Sequence, residues 1–147
     1  MEIPDDAAEA RAHGWRTLAA LHALIEDELE RALQREHGLS VSEYSVLDVL
    51  SRQDGFCLRM NQLARAVVLS RSAITRLVSR MEGRGLLRRC LSPDDRRGIY
   101  TEVTAEGLDA LGRARPTHDA SLTRALGQAR GLPELAPLAD VVDVLPD

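Results

Sequence analysis

The sequence predicts a mainly α-helical chain with one small β-hairpin, and three observations carry that expectation. Apolar residues recur every three or four positions toward both ends of the chain, the period of one helix face. Two β-prone runs, residues 86–91 and 99–103, flank Ser92-Pro93-Asp94-Asp95-Arg96-Arg97-Gly98, a segment of turn formers. Hydrophobic residues make up 44% of the 147 positions and aromatics only 3%, so the core must rest on Leu, Val, Ile and Ala. A chain of this length is one domain, or one domain with an extension.

The first helix is expected over about residues 7–36. Trp15, Leu18, His22, Ile25, Leu29 and Leu33 form one stripe along it, widened by Leu21 and Leu24. Some thirty helical residues span ~45 Å, more than one small core covers, so part of this helix is expected to pack on another chain. Gly38 ends it. Ser40 and Glu43 have the spacing of a capping box for a second helix running to about Arg52, with Tyr44, Leu47 and Leu50 inward. After Asp54-Gly55 comes a short strand candidate, Phe56-Cys57-Leu58. Residues 60–66 form a short helix, 67–69 a tight connection, and Ser70 caps a helix that ends at Gly83 or Gly85. The hairpin follows. Thr104 then caps a long helix over residues 105–129, in which Pro116 should introduce a kink because it lacks an N–H. A last apolar helix carries Leu135, Leu138, Val142 and Leu145.

Several classes are excluded early. No apolar run reaches the ~18–20 residues that cross a bilayer, and the acidic start Met1-Glu2-Ile3-Pro4-Asp5-Asp6 lacks the order of a signal peptide. Cys57 and Cys90 are too few for a disulfide framework and suit a reducing cytoplasm. The sequence has no nucleophile elbow, phosphate-binding loop, dinucleotide fingerprint or zinc-protease motif, so no catalytic residue is expected. The four histidines, His13, His22, His37 and His118, are dispersed; neither a metal nor another cofactor is expected.

The charge distribution is more informative than its total of −4. All 19 basic residues are arginines. Residues 1–58 hold 5 Arg against 12 acids, residues 59–97 hold 10 against 3, and residues 98–147 hold 4 against 8. A basic middle in an acidic protein is a confined electrostatic footprint. Within it, Ile74, Leu77, Val78 and Met81 make one apolar helix face. The opposite face carries Arg71, Ser72, Thr75, Arg76, Ser79 and Arg80, with no acid. Arginine grips guanine or phosphate bidentately, and short hydroxyls let a backbone approach closely. Helix, three-residue turn and reader helix make a helix–turn–helix. The hairpin supplies a wing whose arginines suit a minor groove.

The stretch from Leu63 to Val78, LARAVVLSRSAITRLV, resembles the helix–turn–helix of MarR-type winged-helix regulators. MEGRGLLRR from Met81, and PDDRRG from Pro93 followed by VTAEG from Val103, resemble that family's recognition-helix exit, wing and fifth-helix start. Val68 departs from the pattern, standing where many such turns carry glycine. The resemblance implies a single domain over 1–147: dimerisation helices at about 7–36 and 105–145, and a DNA-binding lobe at about 40–103. It implies a homodimer on a pseudo-palindromic double-stranded operator. Ser70, Arg71, Ser72, Thr75, Arg76 and Arg80 are the expected contacts of the reader helix, with Arg96 and Arg97 on the wing. By its place in the motif Asp95 orients those arginines. A repressor released by a small aromatic effector is the expected role, with Trp15, Leu18, His22 and Tyr44 as candidate pocket walls. Two alternatives stay open at this level: a winged-helix protein-interaction module without DNA binding, and a thiol- or metal-sensing regulator.

Overall fold

The computed structural model describes residues 3–91 and 98–146. Six α-helices, one short 3-10 turn (Asp54–Phe56, between α2 and β1) and three strands occur among these residues: α1 (Ile3–His37), α2 (Val41–Ser51), β1 (Cys57–Arg59), α3 (Met60–Ala66), α4 (Arg71–Gly83), β2 (Leu87–Leu91), β3 (Ile99–Val103), α5 (Ala105–Arg130) and α6 (Ala136–Val144). The chain divides into two compact units, one of Met1–Ala32 with His118–Asp147 and one of Leu33–Thr117.

The terminal unit is built around Leu21, Leu126, Ala129, Leu135 and Ala139, with Leu24, Ile25, Leu122 and Leu138 partly buried against them. Arg124 Nε reaches Glu28 Oε1 at 2.8 Å and ties α5 to α1, while Arg130 pairs with Asp140 and Asp143 of α6. Pro137 lies in the first turn of α6, where its missing N–H costs no helical bond. The α1 stripe is buried only in its second half. Trp15 is 69% exposed and Leu18 49%, and His22 is exposed too. Helical spacing identifies a face; burial needs a partner for that face.

In the second unit, Ser40 Oγ accepts the Glu43 N–H at 3.0 Å and Glu43 Oε1 accepts the Ser40 N–H at 2.9 Å, so the expected capping box starts α2. Val46, Leu47 and Leu50 then bury with Leu63, Ile74, Leu77 and Met81. The sheet is antiparallel in the order β1-β3-β2, with Cys57 opposite Glu102 and Leu91 opposite Ile99. β1 starts one residue later than the sequence suggests. Gly55 (φ 72°) and Phe56 (φ 58°) both turn left-handed, which removes Phe56 from the strand. Downstream, α5 continues past Pro116 to Arg130.

Two local devices set the angles of the central helices. Val68 (φ 57°) ends α3 in the left-handed conformation, with Leu69 N–H on Ala64 O at 2.9 Å and Val68 N–H on Arg65 O at 3.3 Å. That is a Schellman stop made by a β-branched residue instead of glycine, a strained choice costing about 1–3 kcal/mol. At the other end, Thr104 Oγ1 donates to Gly85 O at 2.7 Å and accepts the Gly107 N–H at 3.0 Å. A Cβ on Gly107 would lie 2.3 Å from Leu86 O, so only glycine lets α5 start this close to β2.

Candidate nucleic-acid interface

α4 is delimited by side-chain and backbone caps. Ser70 Oγ accepts the Ala73 N–H at 3.2 Å, and Gly85 (φ 77°) turns the chain away after Arg84. Ile74, Leu77, Val78 and Met81 are buried, whereas Arg71, Ser72, Thr75, Arg76, Ser79 and Arg80 are all exposed. The helix therefore presents one continuous face of arginines and hydroxyls. Its hydroxyls are not equivalent. Ser70 serves the cap and lies 3.3 Å from Ser72 Oγ. Thr75 donates to Arg71 O at 2.8 Å, which leaves its methyl and an acceptor outward.

The helix is held from behind by charged pairs that connect distant segments. Arg84 Nη1 meets Glu43 Oε2 at 2.7 Å, and Arg84 Nη2 donates to Gly38 O at 3.0 Å. Arg89 of β2 reaches back to α4, with Nε 2.8 Å from Glu82 Oε1 and Nη2 donating to Ser79 Oγ at 2.7 Å. These residues orient the reader helix and its adjoining sheet. The sequence reading missed Glu82, Arg84 and Arg89 as positioning groups and took Glu43 only as a cap. Their partners are fixed by tertiary packing, which neither helical period nor spacing reports.

On the outer face of the sheet, Arg88 Nη2 donates to Glu102 Oε2 at 2.6 Å, and this bond holds the guanidinium above its ordinary pKa. Arg59 lies over the Tyr100 ring, 5.5 Å from its centre, and donates to the phenol oxygen at 3.1 Å. Cys57 and Cys90 are half-buried on the same face. Burial, and then the Glu102 charge, push the Cys90 thiol up, which reduces its thiolate fraction at neutral pH.

Asp95, Arg96 and Arg97, the expected wing residues, lie outside the described residues. The candidate pocket walls separate into two classes. Trp15, Leu18 and His22 are exposed on α1, with His22 Nε2 3.9 Å from Glu26 Oε1. Tyr44 is 4% exposed in the core of the second unit. Among the described residues no cluster of three or more His, Cys, Asp or Glu side chains can hold a metal ion. None of the described helices is long and apolar enough to cross a membrane.

The sequence model of the MarR family matches residues 37–98, which run from the end of α1 through α4 and β2 to the residue before β3. The chain is 30% identical to the transcriptional regulator MhqR of Bacillus subtilis over 105 residues, 71% of this chain and 70% of that protein. Among solved structures it is similar to Sco3205, a MarR family transcriptional regulator from Streptomyces coelicolor in complex with DNA. The identity is 31%, the coverage 88% of this chain and 82% of that one, and the TM-score 0.74. The chain belongs to the MarR family. This MarR-family protein is a DNA-binding transcriptional regulator, and α3, the Val68 turn, α4 and the three-stranded sheet are its winged helix–turn–helix. Members of the family regulate transcription and are not enzymes. A third similar structure is CouR from Rhodococcus jostii RHA1 bound to p-coumaroyl-CoA, with 32% identity, 73% of each chain covered and a TM-score of 0.66.

Proposed function

We propose that this regulator is a cytoplasmic homodimeric repressor that grips a pseudo-palindromic operator and releases it when a small aromatic ligand binds. The exposed face of α4 carries the proposal: Arg71, Ser72, Thr75, Arg76 and Arg80 stand outward on a helix whose opposite side is core. In this reading they enter the major groove, Arg96 and Arg97 enter the minor groove, and Asp95 orients them. One such helix reads a few base pairs. Two in a dimer reach half-sites about 34–36 Å apart on one face of the duplex. Exposed Trp15 and Leu18 on α1, and Val141, Val144 and Leu145 at the C-terminal end, supply apolar area for a second copy. CouR, with its bound p-coumaroyl-CoA, supports the choice of an aromatic effector.

The test is selection of duplexes from a random library by the purified protein. A two-fold symmetric consensus is expected, with a dimer mass by light scattering. Arg76→Ala should weaken binding to that consensus by about 1–3 kcal/mol, roughly five- to 150-fold. Adding aromatic acids and their thioesters to the bound duplex should release it in at least one case. Binding with no sequence preference, or as a monomer, contradicts the proposal.

A further inference from the structure

One methionine sits where the sheet joins the helix before the turn, and its sulfur carries a bond that DNA contact does not use. Met60 is the first residue of α3 and follows directly on Arg59, the last of β1. Thr101 of β3 is wholly buried, and its hydroxyl donates to Met60 Sδ at 2.9 Å. A thioether is a weak acceptor, yet it is the one partner of that hydroxyl among the described residues. Met60 is half-buried, and it opens on a cleft of about 740 Å³. Arg59, Arg65, Arg71 and Arg89 line the same opening, with no carboxylate among the described lining residues.

We propose that Met60 is an oxidation site, at which hypochlorite converts the thioether to the sulfoxide and so loosens the hold of this regulator on DNA. The inference rests on the operator-binding reading above and adds a chemical control over it. In the step, a sulfur lone pair takes the oxygen atom of hypochlorite. One S–O bond forms, the O–Cl bond breaks, and chloride leaves with the bonding pair. Sulfur loses two electrons, chlorine gains them, and no proton is gained or lost overall. A cationic opening concentrates an anionic oxidant beside the sulfur. Burial pushes the Cys90 thiol up and keeps it protonated, whereas a thioether reacts without ionising. Reversal takes a methionine sulfoxide reductase and a dithiol, which return the oxygen as water.

The geometry says why the sulfoxide matters. Sulfur and hydroxyl are already in contact, which leaves no space for an oxygen atom between them. The oxidised side chain leaves its seat, and the Thr101 hydroxyl stays buried without a partner. No linker absorbs the movement. The Arg59 N–H donates to Gln62 Oε1 at 3.2 Å at the start of α3, and Arg59 Nε donates to the Tyr100 hydroxyl of β3. A shift at Met60 is therefore carried into both the sheet and the first helix of the helix–turn–helix. Met81, fully buried in the same unit, is an internal reference.

The experiment treats the full chain with increasing hypochlorite and quenches with free methionine. Sulfoxides are mapped by peptide mass spectrometry, and anisotropy of the library-selected duplex gives the affinity. Met60 should oxidise well before Met81, and more slowly when the duplex is already bound. Affinity should fall about tenfold in step with the Met60 sulfoxide, the scale of one buried hydroxyl left unpaired. Methionine sulfoxide reductase with dithiothreitol should restore it, and dithiothreitol alone should not. Each variant is compared with itself before and after oxidant: Cys57→Ser combined with Cys90→Ser should keep the response, and Met60→Leu should lose it. If untreated wild type binds no duplex, the operator-binding reading fails and takes this proposal with it. If untreated wild type binds, the oxidation site alone is wrong when Met60 oxidises no sooner than Met81, when its sulfoxide leaves affinity unchanged, or when the response follows the cysteines.

Discussion

Replacing Glu43 by alanine removes two functions from one carboxylate. One oxygen caps Ser40, and the other pairs with Arg84 at 2.7 Å. Glu43 is only 8% exposed, so water does not replace those bonds at its position. Breaking a fully buried pair costs about 3–5 kcal/mol, and an exposed pair is worth well under about 1. The Arg84 side chain is 43% exposed and can return to solvent, which places the loss near 2 kcal/mol. The lost half of the capping box adds about 0.5–1 kcal/mol. Glu43→Ala should therefore destabilise by about 2.5–3 kcal/mol, which lowers Tm by roughly 5–12 °C for a chain of this size. Urea and thermal unfolding at fixed protein concentration measure both. Pairing Glu43→Gln with Arg84→Met in a double-mutant cycle should return a coupling of about 1–2 kcal/mol. A Glu43→Ala loss below about 0.5 kcal/mol, the range of neutral surface changes, would refute the reasoning.

Four further outcomes follow from local geometry. Gly107→Ala should lose about 2–3 kcal/mol or fail to fold, because the new methyl meets Leu86 O at 2.3 Å; circular dichroism during a thermal ramp checks it. Val68→Gly should gain roughly 0.5–2 kcal/mol, the relieved left-handed strain less the extra freedom of glycine in the unfolded chain, and an unchanged urea midpoint would contradict this. Thr117 donates to Glu36 and is the first cause, before Arg35, holding that carboxyl below its usual range. A depressed carboxylate contributes stability that is present above its unfolded pKa and lost as pH falls through the folded one, so Thr117→Val should raise the Glu36 midpoint in an NMR titration. Cys90, with its pKa raised, should alkylate with iodoacetamide at pH 7 more slowly than a free thiol, and faster labelling would reopen a thiol-sensing role.

The central elements were legible because their ends are chemically marked. Ser40 with Glu43, Ser70, Gly85 and Thr104 are caps or turns that act within a few residues, and the structure uses each at its expected place. The exposed composition of α4 was legible for a similar reason: amphipathic spacing assigns two faces, and only one of them is apolar. Trp15, Leu18 and His22 show the limit. They continue the stripe of Leu21 and Leu29, yet they are exposed, because period is a property of the helix and burial is a property of its neighbours. Tyr44 differs from them: it is buried in the second unit. Arg84 with Glu43, and Arg89 with Glu82 and Ser79, depend on how α2, α4 and β2 meet. Nothing in their own spacing announces that.

The closed base of the hairpin has a consequence for how much change in length this regulator tolerates there. Leu87 pairs with Val103, and the Thr104 N–H bonds Leu86 O at 3.1 Å, so the two ends of the β2–β3 segment meet at one point. With Thr104 and Gly107 fastening that point to the start of α5, the paired strands Leu87–Leu91 and Ile99–Val103 are a stem anchored at one end. The stem is held on both sides, by Arg89 on Glu82 and Ser79 of α4 and by the pairing of β3 with β1, so its register does not depend on the length of the segment between Leu91 and Ile99. A segment of different length grafted between Leu91 and Ile99 should leave the melting temperature of the chain nearly unchanged, because Arg89, buried Thr101 and the β1–β3 pairing all stay in place. The stem then sets where the segment it carries can reach, whatever the length of that segment.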